Sequence, residues 1–320
     1  ALSTIFLLSK NRFTTQRGMQ FGLFLVLCGM PLLLAPFAPL YILFPYTLLK
    51  VAGGIMFYVP YNILFFENTH REKKLQRMAV YWGIGSAVSV LAPMTGGWIF
   101  ARFGLTVFIV VSLLILLTGI GLTWLVKKQT YPYKTAELIT HIKGFRLISM
   151  IDGALQSASG LLISLYLLTF IKNEFNFGQI LSVIALVSVL LSLQLAKVSD
   201  RTKKRLEFIW PLSFGIGVIM ISLYFVHTLW IAVILIVGYQ FLSSLFNPIR
   251  SNILLDNVDQ APITWISREL YLNIGRTVVL FLLAFVVYSG HLREAFFVMA
   301  SLFFAFPFIL LFKRVYRTTN

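Results

Sequence analysis

The sequence is poor in charge, in cysteine and in histidine, and each shortage excludes a class of protein. Only 12% of its 320 residues are Asp, Glu, Lys or Arg, about half the share expected of a soluble domain. The one cysteine, Cys28, lies in an apolar stretch, which excludes a disulfide framework and a thiolate metal site. The four histidines have neither an HExxH motif nor paired spacing, so we expect no metal site and no cofactor.

Long stretches without ionisable side chains indicate a membrane protein. Several run for 18 to 24 residues, which is enough for a helix to cross about 30 Å of hydrocarbon. Because backbone polar groups in lipid must be satisfied within their own segment, we predict an all-α polytopic fold. The ten predicted spans are 18–35, 40–66, 78–101, 103–126, 153–171, 175–196, 208–226, 228–249, 266–290 and 295–312.

The placement of the basic residues predicts the orientation in the membrane. The net charge is +16, and 21 of the 27 basic residues fall in alternate loops on one side of the predicted spans. The opposite side holds only Arg102, Lys172 and Arg293. This asymmetry predicts cytoplasmic basic loops, a cytoplasmic C-terminus and a multi-pass location in the plasma or inner membrane. The excess charge therefore reports topology, and we expect no nucleic-acid partner.

The first residues, ALSTIFLLSK, begin without methionine. Residues 1–8 have the composition of the cytoplasmic end of a helix that is already in the membrane, yet they are too few to span it. The charges follow this apolar stretch, in the opposite order to a signal peptide. We therefore expect that the sequence lacks its true N-terminus.

An internal repeat divides the chain into two related parts. Asn62-Ile63-Leu64 recurs as Asn252-Ile253-Leu254 at an offset of 190. Two further pairs recur at nearly the same offset, Gly85 with Gly275 and Asn11-Arg12 with Asp200-Arg201. The repeat predicts two copies of one helical unit. We predict an N-terminal half at 1–126, a cytoplasmic linker at 127–143 and a C-terminal half at 144–320.

A charged loop between two predicted spans carries the most specific motif. Residues 196–205, AKVSDRTKKR, resemble the cytoplasmic loop motif G-x-x-x-D-R-x-G-R-R of the major facilitator superfamily of secondary transporters. The matching residues are Asp200, Arg201, Lys204 and Arg205. The resemblance implies that they form a gate between helix ends, with charge-assisted contacts that hold one state closed. The alternative is a basic turn that only sets topology.

Two shorter motifs resemble the same family. Residues 92–98, APMTGGW, are similar to the G-P-x-x-G-G bend of its fifth helix, which implies a bend at Pro93 with close packing at Gly96 and Gly97. Simple helix packing is the alternative. Residues 50–54, KVAGG, are similar to the R-x-x-x-G motif of its fourth helix. The resemblance runs from the end of helix 2 to helix 12, so it implies two pseudo-symmetric bundles with about ten complete helices present.

Polar side chains at membrane depth supply the candidate site, because ionisable groups in lipid are costly and usually functional. In the family that the sequence resembles, helices 4, 7 and 10 line a central cavity. The candidate cavity residues here are Lys50, Asp152, Gln156, Gln240, Asn247 and Arg276. They predict that Lys50 and Arg276 face a solute or proton-carrying site, with Asp152 as its counter-charge or titrating group. The alternative is a structural ion pair between helices, such as Glu269 with Arg250.

These patterns favour a secondary transporter that moves a small solute by alternating access, and they leave proton coupling open. Its expected partners are the solute and the lipid bilayer, and we expect a monomer. A sensor or receptor on the same scaffold is the first alternative. A lipid-modifying membrane enzyme is the second, and it needs a cluster of His, Asp or Ser at one interface that the sequence lacks. We therefore predict that the protein is not an enzyme.

Overall fold

Helices make up nearly all of the chain that the structure describes. The computed structural model describes residues 14–35, 39–67, 74–130, 135–199, 205–257 and 262–313. Within these ranges the α-helices are α1 (Thr15–Gly29), α2 (Pro39–Glu67), α3 (Lys74–Leu122), α4 (Thr135–Thr140), α5 (Arg146–Leu168), α6 (Glu174–Ser199), α7 (Arg205–Phe225), α8 (Leu229–Asn257), α9 (Pro262–Tyr288) and α10 (Ala295–Phe312). No strand occurs in these described ranges, so the predicted all-α class is confirmed.

The described helices include eight segments long and apolar enough to cross a membrane. They are Thr15–Leu34, Phe44–Phe65, Val90–Leu125, Lys143–Leu168, Phe208–Phe225, Leu229–Asn247, Ile263–Tyr288 and Ala295–Phe312. The protein is therefore a multi-pass membrane protein. The count of ten spans stays a prediction, because the segment Val90–Leu125 covers parts of two predicted spans and α6 contributes only the shorter apolar stretch Glu174–Val187.

Two glycines with positive φ mark the ends of long helical runs. Gly104 has φ +79° and breaks helical geometry inside α3, between the predicted spans 78–101 and 103–126. Gly290, with φ +82°, follows α9. There the N–H of Gly290 donates to Val287 and that of His291 to Val286, at 3.0 and 3.1 Å, which is the Schellman pattern of a helix C-terminus. Glycine suits both positions because it has no Cβ to clash at positive φ.

The helix bounds repeat along the chain as the sequence motifs do. Helices α2 and α8 begin and end 190 residues apart. The first residues of α1 and α7 are also 190 apart, and the part of α3 after Gly104 ends 190 residues before the end of α10. The internal repeat of the sequence therefore extends to the secondary structure.

Contacts between residues divide the chain into two units. Unit 1 comprises Ala1–Met78, Ile99–Lys143 and Gln260–Leu270, and unit 2 comprises Ala79–Trp98, Gly144–Asp259 and Tyr271–Asn320. Long helices contribute to both, since α3 and α9 each cross a boundary. The predicted halves at 1–126 and 144–320 stay a prediction.

Unit 1 is built on a glycine contact between α1 and α2. A Cβ on Gly22 would lie 2.6 Å from the carbonyl oxygen of Gly53, and a Cβ on Gly53 would meet the carbonyl oxygen of Gly22. The two backbones therefore touch at this crossing, as in membrane helix pairs with small residues at the interface. At the start of α1, Thr15 donates its N–H to Gln129 at 2.8 Å, and the Gln16 amide donates to Thr123 at 3.2 Å.

Unit 2 contains a continuous apolar core between α5, α7, α8 and α10. Tyr166 on α5 is fully buried and stacks edge-on against Phe296 on α10, with ring centroids 5.1 Å apart. Phe246 on α8 contacts Phe306 of α10 edge-on and Phe303 at a tilt, with ring centroids 5.5 and 5.8 Å apart. The Tyr166 hydroxyl donates to the Val226 carbonyl at 2.7 Å, so the polar end of this buried ring is satisfied.

Candidate functional site

A buried ion pair joins α5 to α8 within unit 2. Nε of Arg250 lies 2.7 Å from Oδ1 of Asp152. Asp152 is 4% exposed and Arg250 is 5% exposed. The guanidinium of Arg250 also lies over the Phe246 ring, 5.5 Å from its centroid. Opposite charges removed from water must pair in this way, because an isolated charge there is very costly.

Gln156 connects this ion pair to α9. It lies one helical turn after Asp152, and its Nε2 donates to Asp152 Oδ1 at 3.3 Å. Its Oε1 accepts from Nη2 of Arg276 at 2.8 Å. The amide orientation follows from chemistry, since a carboxylate only accepts and a guanidinium only donates. Nη1 of Arg276 also donates to Oδ1 of Asn273, at 3.2 Å.

A glycine crossing brings α9 close enough for this contact. A Cβ on Gly153 would overlap the backbone carbonyl of Leu272, and a Cβ on Gly275 would overlap the carbonyl of Met150. The backbones of α5 and α9 therefore touch, and this contact tolerates only glycine at both positions. Gly275 directly precedes Arg276, so the crossing places the Arg276 side chain beside Gln156.

A second polar tie joins α5 and α8 further along both helices. The Tyr239 hydroxyl donates to Oγ of Ser159 at 2.8 Å. The Ser159 hydroxyl in turn donates to the Leu155 carbonyl at 2.8 Å. Both residues are buried. The tie fixes the rotation of α8 against α5, because Tyr239 and Arg250 contact α5 from one face of α8.

The arrangement of Asp152, Gln156, Arg250, Asn273 and Arg276, which we name the polar network, offers one carboxylate, two guanidinium groups and two amides. A carboxylate is chemically able to accept a proton, and guanidinium groups are chemically able to bind anions. Among the described residues, no three His, Cys, Asp or Glu side chains gather as a metal site would require. The network therefore suits proton transfer or solute binding, and its buried ion pair equally suits a structural role.

The structure brings together Asp152, Gln156 and Arg276 of the six predicted cavity residues. Lys50 is exposed on α2 in unit 1, with its Nζ 5.7 Å from the centroid of the Tyr46 ring. Gln240 is half-buried and Asn247 is exposed, both on α8. That all six line one cavity stays a prediction. The alternative named a structural ion pair such as Glu269 with Arg250, and in the structure Arg250 pairs with Asp152.

The residues of the predicted bend contact α6. A Cβ on Gly97 would lie 2.8 Å from the carbonyl oxygen of Glu174, and a Cβ on Gly178 would meet the carbonyl of Pro93. Pro93 lies inside α3, where the backbone stays helical, and Gly96 is half-buried. Close helix packing is therefore observed at Pro93 and Gly97. A role in bending stays a prediction.

The predicted gate falls at the edge of the described chain. Asp200, Arg201 and Lys204 lie outside the described residues, and Arg205 begins α7. Their gating role stays a prediction.

Two features of the site had only a weak sequence signal. The spacing of Ser159 and Asp152 marks one face of α5, but nothing in the sequence pairs that face with Tyr239. Gly275 is an anchor of the repeat, whereas its contact with α5 depends on how the helices cross.

The family model of the Major Facilitator Superfamily matches residues 8–264. No curated protein matches the sequence. Among solved structures, a POT family transporter in complex with 5-aminolevulinic acid is 12% identical with a TM-score of 0.70, covering 97% of this chain and 85% of that one. A bacterial homologue of the iron transporter ferroportin, outward-facing, is 14% identical with a TM-score of 0.64, covering 98% and 88%.

A third similar structure is FucP, a Major Facilitator Superfamily transporter in the outward conformation, at 14% identity and a TM-score of 0.58, covering 97% of this chain and 85% of that one. At these identities the structures share the fold alone. The family match covers most of the chain, and it agrees with the loop and helix motifs of the sequence. The chain belongs to the Major Facilitator Superfamily and is a secondary transporter.

Proposed function

We propose that the protein carries a small solute across the cell membrane by alternating access, as a monomer with its basic loops in the cytoplasm. The polar network of unit 2 is part of its solute and proton pathway. The observation that supports this proposal is the chain of contacts from Arg250 through Asp152 and Gln156 to Arg276. Ionisable side chains inside the membrane are costly, so their presence favours a functional role.

Asp152 is the proposed proton carrier. Its carboxylate contacts Arg250 and accepts from Gln156, so protonation removes the negative charge that attracts the guanidinium. Gln156 loses part of its acceptor at the same step, and Gln156 also contacts Arg276. One proton on Asp152 therefore changes contacts on α5, α8 and α9 together, which is what coupling between a proton and a conformational change requires.

Reconstituted flux tests the proposal. The full chain is placed in liposomes that enclose a pH-sensitive dye, and amino acids, dipeptides, sugars and small carboxylates are added outside one class at a time. We expect that at least one class acidifies the interior. Asp152→Asn, which keeps the shape but not the charge, is expected to lose at least about 90% of this rate, since it removes the proton carrier.

Glu174→Gln is the matched control, because it makes the same chemical change at an exposed residue in the first turn of α6. It is expected to retain the wild-type rate. Retained acidification in Asp152→Asn contradicts the role of Asp152. Entry of a radiolabelled solute without a pH change contradicts proton coupling alone. If no class crosses under any imposed gradient, the sensor alternative is favoured.

A further inference from the structure

A cavity of about 390 Å³ lies at the end of unit 2 where α5, α7 and α9 finish. Its volume falls within the range of small-molecule sites, about 300–1,000 Å³. The lining residues are Tyr166, Thr169, Tyr224, Phe225, His227, Gly290, Leu292, Arg293 and Glu294. All of these residues lie outside the polar network, and the orientation predicted from the basic loops puts this end on the non-cytoplasmic side.

The walls of the cavity are held in place by hydrogen bonds. The Tyr166 hydroxyl donates to the Val226 carbonyl at 2.7 Å, which ties the α7–α8 connection to α5. The Thr169 hydroxyl donates to the Tyr166 carbonyl at 2.7 Å. The Schellman turn at Gly290 positions the α9–α10 connection on the other side. The cavity is therefore formed by ordered helix ends.

Arg293 and His227 face each other in this cavity. Nη1 of Arg293 lies 2.7 Å from Nδ1 and 3.3 Å from Nε2 of the His227 ring. A guanidinium only donates hydrogen bonds, and a neutral imidazole has one nitrogen that accepts. A protonated imidazole has none, and it adds a positive charge beside Arg293. The contact between the two side chains therefore belongs to the neutral form of His227.

The neighbouring pair on the same connection has the opposite dependence on charge. Nδ1 of His291 lies 3.2 Å from Oε1 of Glu294, a contact that protonation of His291 strengthens. A hydrogen bond from its own backbone, and a second from His291, lower the pKa of the Glu294 carboxyl, so this group stays ionised near neutral pH.

The charge at this end of unit 2 consequently depends on His227, which lines the cavity, and on His291, which contacts Glu294 but does not line it. With both rings neutral, the charges of Arg293 and Glu294 cancel. With both rings protonated, the side chains of His227, His291, Arg293 and Glu294 together carry a net charge of about +2. The other titratable and charged groups that line the cavity with His227 are Tyr166 from α5, Tyr224 from α7, and Arg293 and Glu294 from the α9–α10 connection. The negative charge of Glu294 is already included in this sum, so it does not offset the gain.

We propose that this cavity is an acid-dependent binding site for a small oxyanion, held between the guanidinium of Arg293 and the protonated ring of His227. Arginine binds planar oxyanions through its forked donors. Protonation of His227 ends its contact with Arg293 and supplies a second donor, so the anion takes the place of the neutral ring. Tyr224 and Phe225 provide apolar walls that accept a small organic group attached to the oxyanion.

Sulfate is a suitable probe, because it stays doubly charged over the range in which histidine titrates. Equilibrium dialysis of the purified full chain with radiolabelled sulfate, at constant ionic strength in chloride, measures its dissociation constant. We expect saturable binding that is about tenfold tighter at about pH 5.5 than at about pH 8. Arg293→Gln is expected to abolish it. His227→Gln is expected to bind sulfate at both pH values with the weaker affinity that the wild type shows at about pH 8.

Lys172→Gln is the matched control, since Lys172 is exposed, follows α5 at the same end of unit 2 and does not line the cavity. It is expected to bind as the wild type does. No saturable binding at the lower pH, binding retained in Arg293→Gln, or equal loss in Lys172→Gln would overturn the proposal. A tenfold pH dependence that persists in His227→Gln would overturn the role of His227. Binding is measured without transport, so this outcome is independent of the flux experiment.

Discussion

Replacing Asp152 with leucine removes the carboxylate that lies 2.7 Å from the Arg250 guanidinium. At that separation the attraction is on the order of 6 kcal/mol at an effective dielectric constant of about 20. Burial of both groups costs a similar amount, so the intact pair contributes little net stability. The single variant keeps the cost of burying Arg250 but loses this attraction. We expect Asp152→Leu to lower the free energy of unfolding by about 3–5 kcal/mol.

The double variant Asp152→Leu with Arg250→Met separates structure from function. Because both charges are gone, we expect it to recover most of the stability that the single variant loses. Solute-driven acidification is expected to remain absent, since the proton carrier is missing. Stability is measured by reversible unfolding of the purified protein in mixed micelles, and flux in liposomes.

Two results would refute this reasoning. If Asp152→Leu unfolds as the wild type does, the ion pair does not carry the stated energy. If the double variant is stable and transports at the wild-type rate, the pair is only a structural contact between α5 and α8.

Two further substitutions test the glycines. Gly153→Ala is expected to lower the free energy of unfolding by about 1–3 kcal/mol and to weaken flux, because the added methyl group overlaps the Leu272 backbone. Its control is Gly160→Ala on the same helix, which has open space around it and should be neutral or stabilising by up to about 1 kcal/mol. Equal effects of the two substitutions in the unfolding assay would be inconsistent with the crossing. Gly290→Ala is expected to lower the free energy of unfolding by about 1–2 kcal/mol, because Gly290 has a positive φ that alanine adopts only with strain. Gly121→Ala serves as its control, since Gly121 is a helical glycine with open space around it. An unchanged unfolding midpoint for Gly290→Ala would count against the turn.

Features that depend on local chemistry could be predicted from the sequence. Membrane segments need uninterrupted apolar residues, so the composition alone indicates a polytopic helical protein. The motif repeat at an offset of 190 also anticipates the matched bounds of α2 and α8. The eight described spans agree with this view. The sequence predicts the boundary between spans 78–101 and 103–126 at Arg102. In the structure the chain leaves helical geometry two residues later, at Gly104.

Features that depend on how helices cross could not be predicted in the same way. The spacing of Asp152 and Gln156 indicates one face of α5, but the partner of that face depends on the rotation of α8 and α9. For this reason Glu269 is named from the sequence as an example of a partner for Arg250, and the contact with Asp152 is not anticipated. The contact of His227 with Arg293 joins two connections that are 66 residues apart, and no periodicity reports such a contact.

The crossing at Gly275 lies at the centre of α9, with 13 residues on each side. If the protein works by the proposed alternating access, we expect this crossing to be the fulcrum about which α9 tilts. At about 1.5 Å per residue, each arm is about 20 Å long, so a swing of about 10° displaces either tip by about 3 Å. The Cα of Arg276 is one residue from this fulcrum, so the same swing shifts that atom by only about 0.3 Å. If α9 tilts about this crossing, as the proposed alternating access requires, its two ends move while the contact of Arg276 with Gln156 is kept.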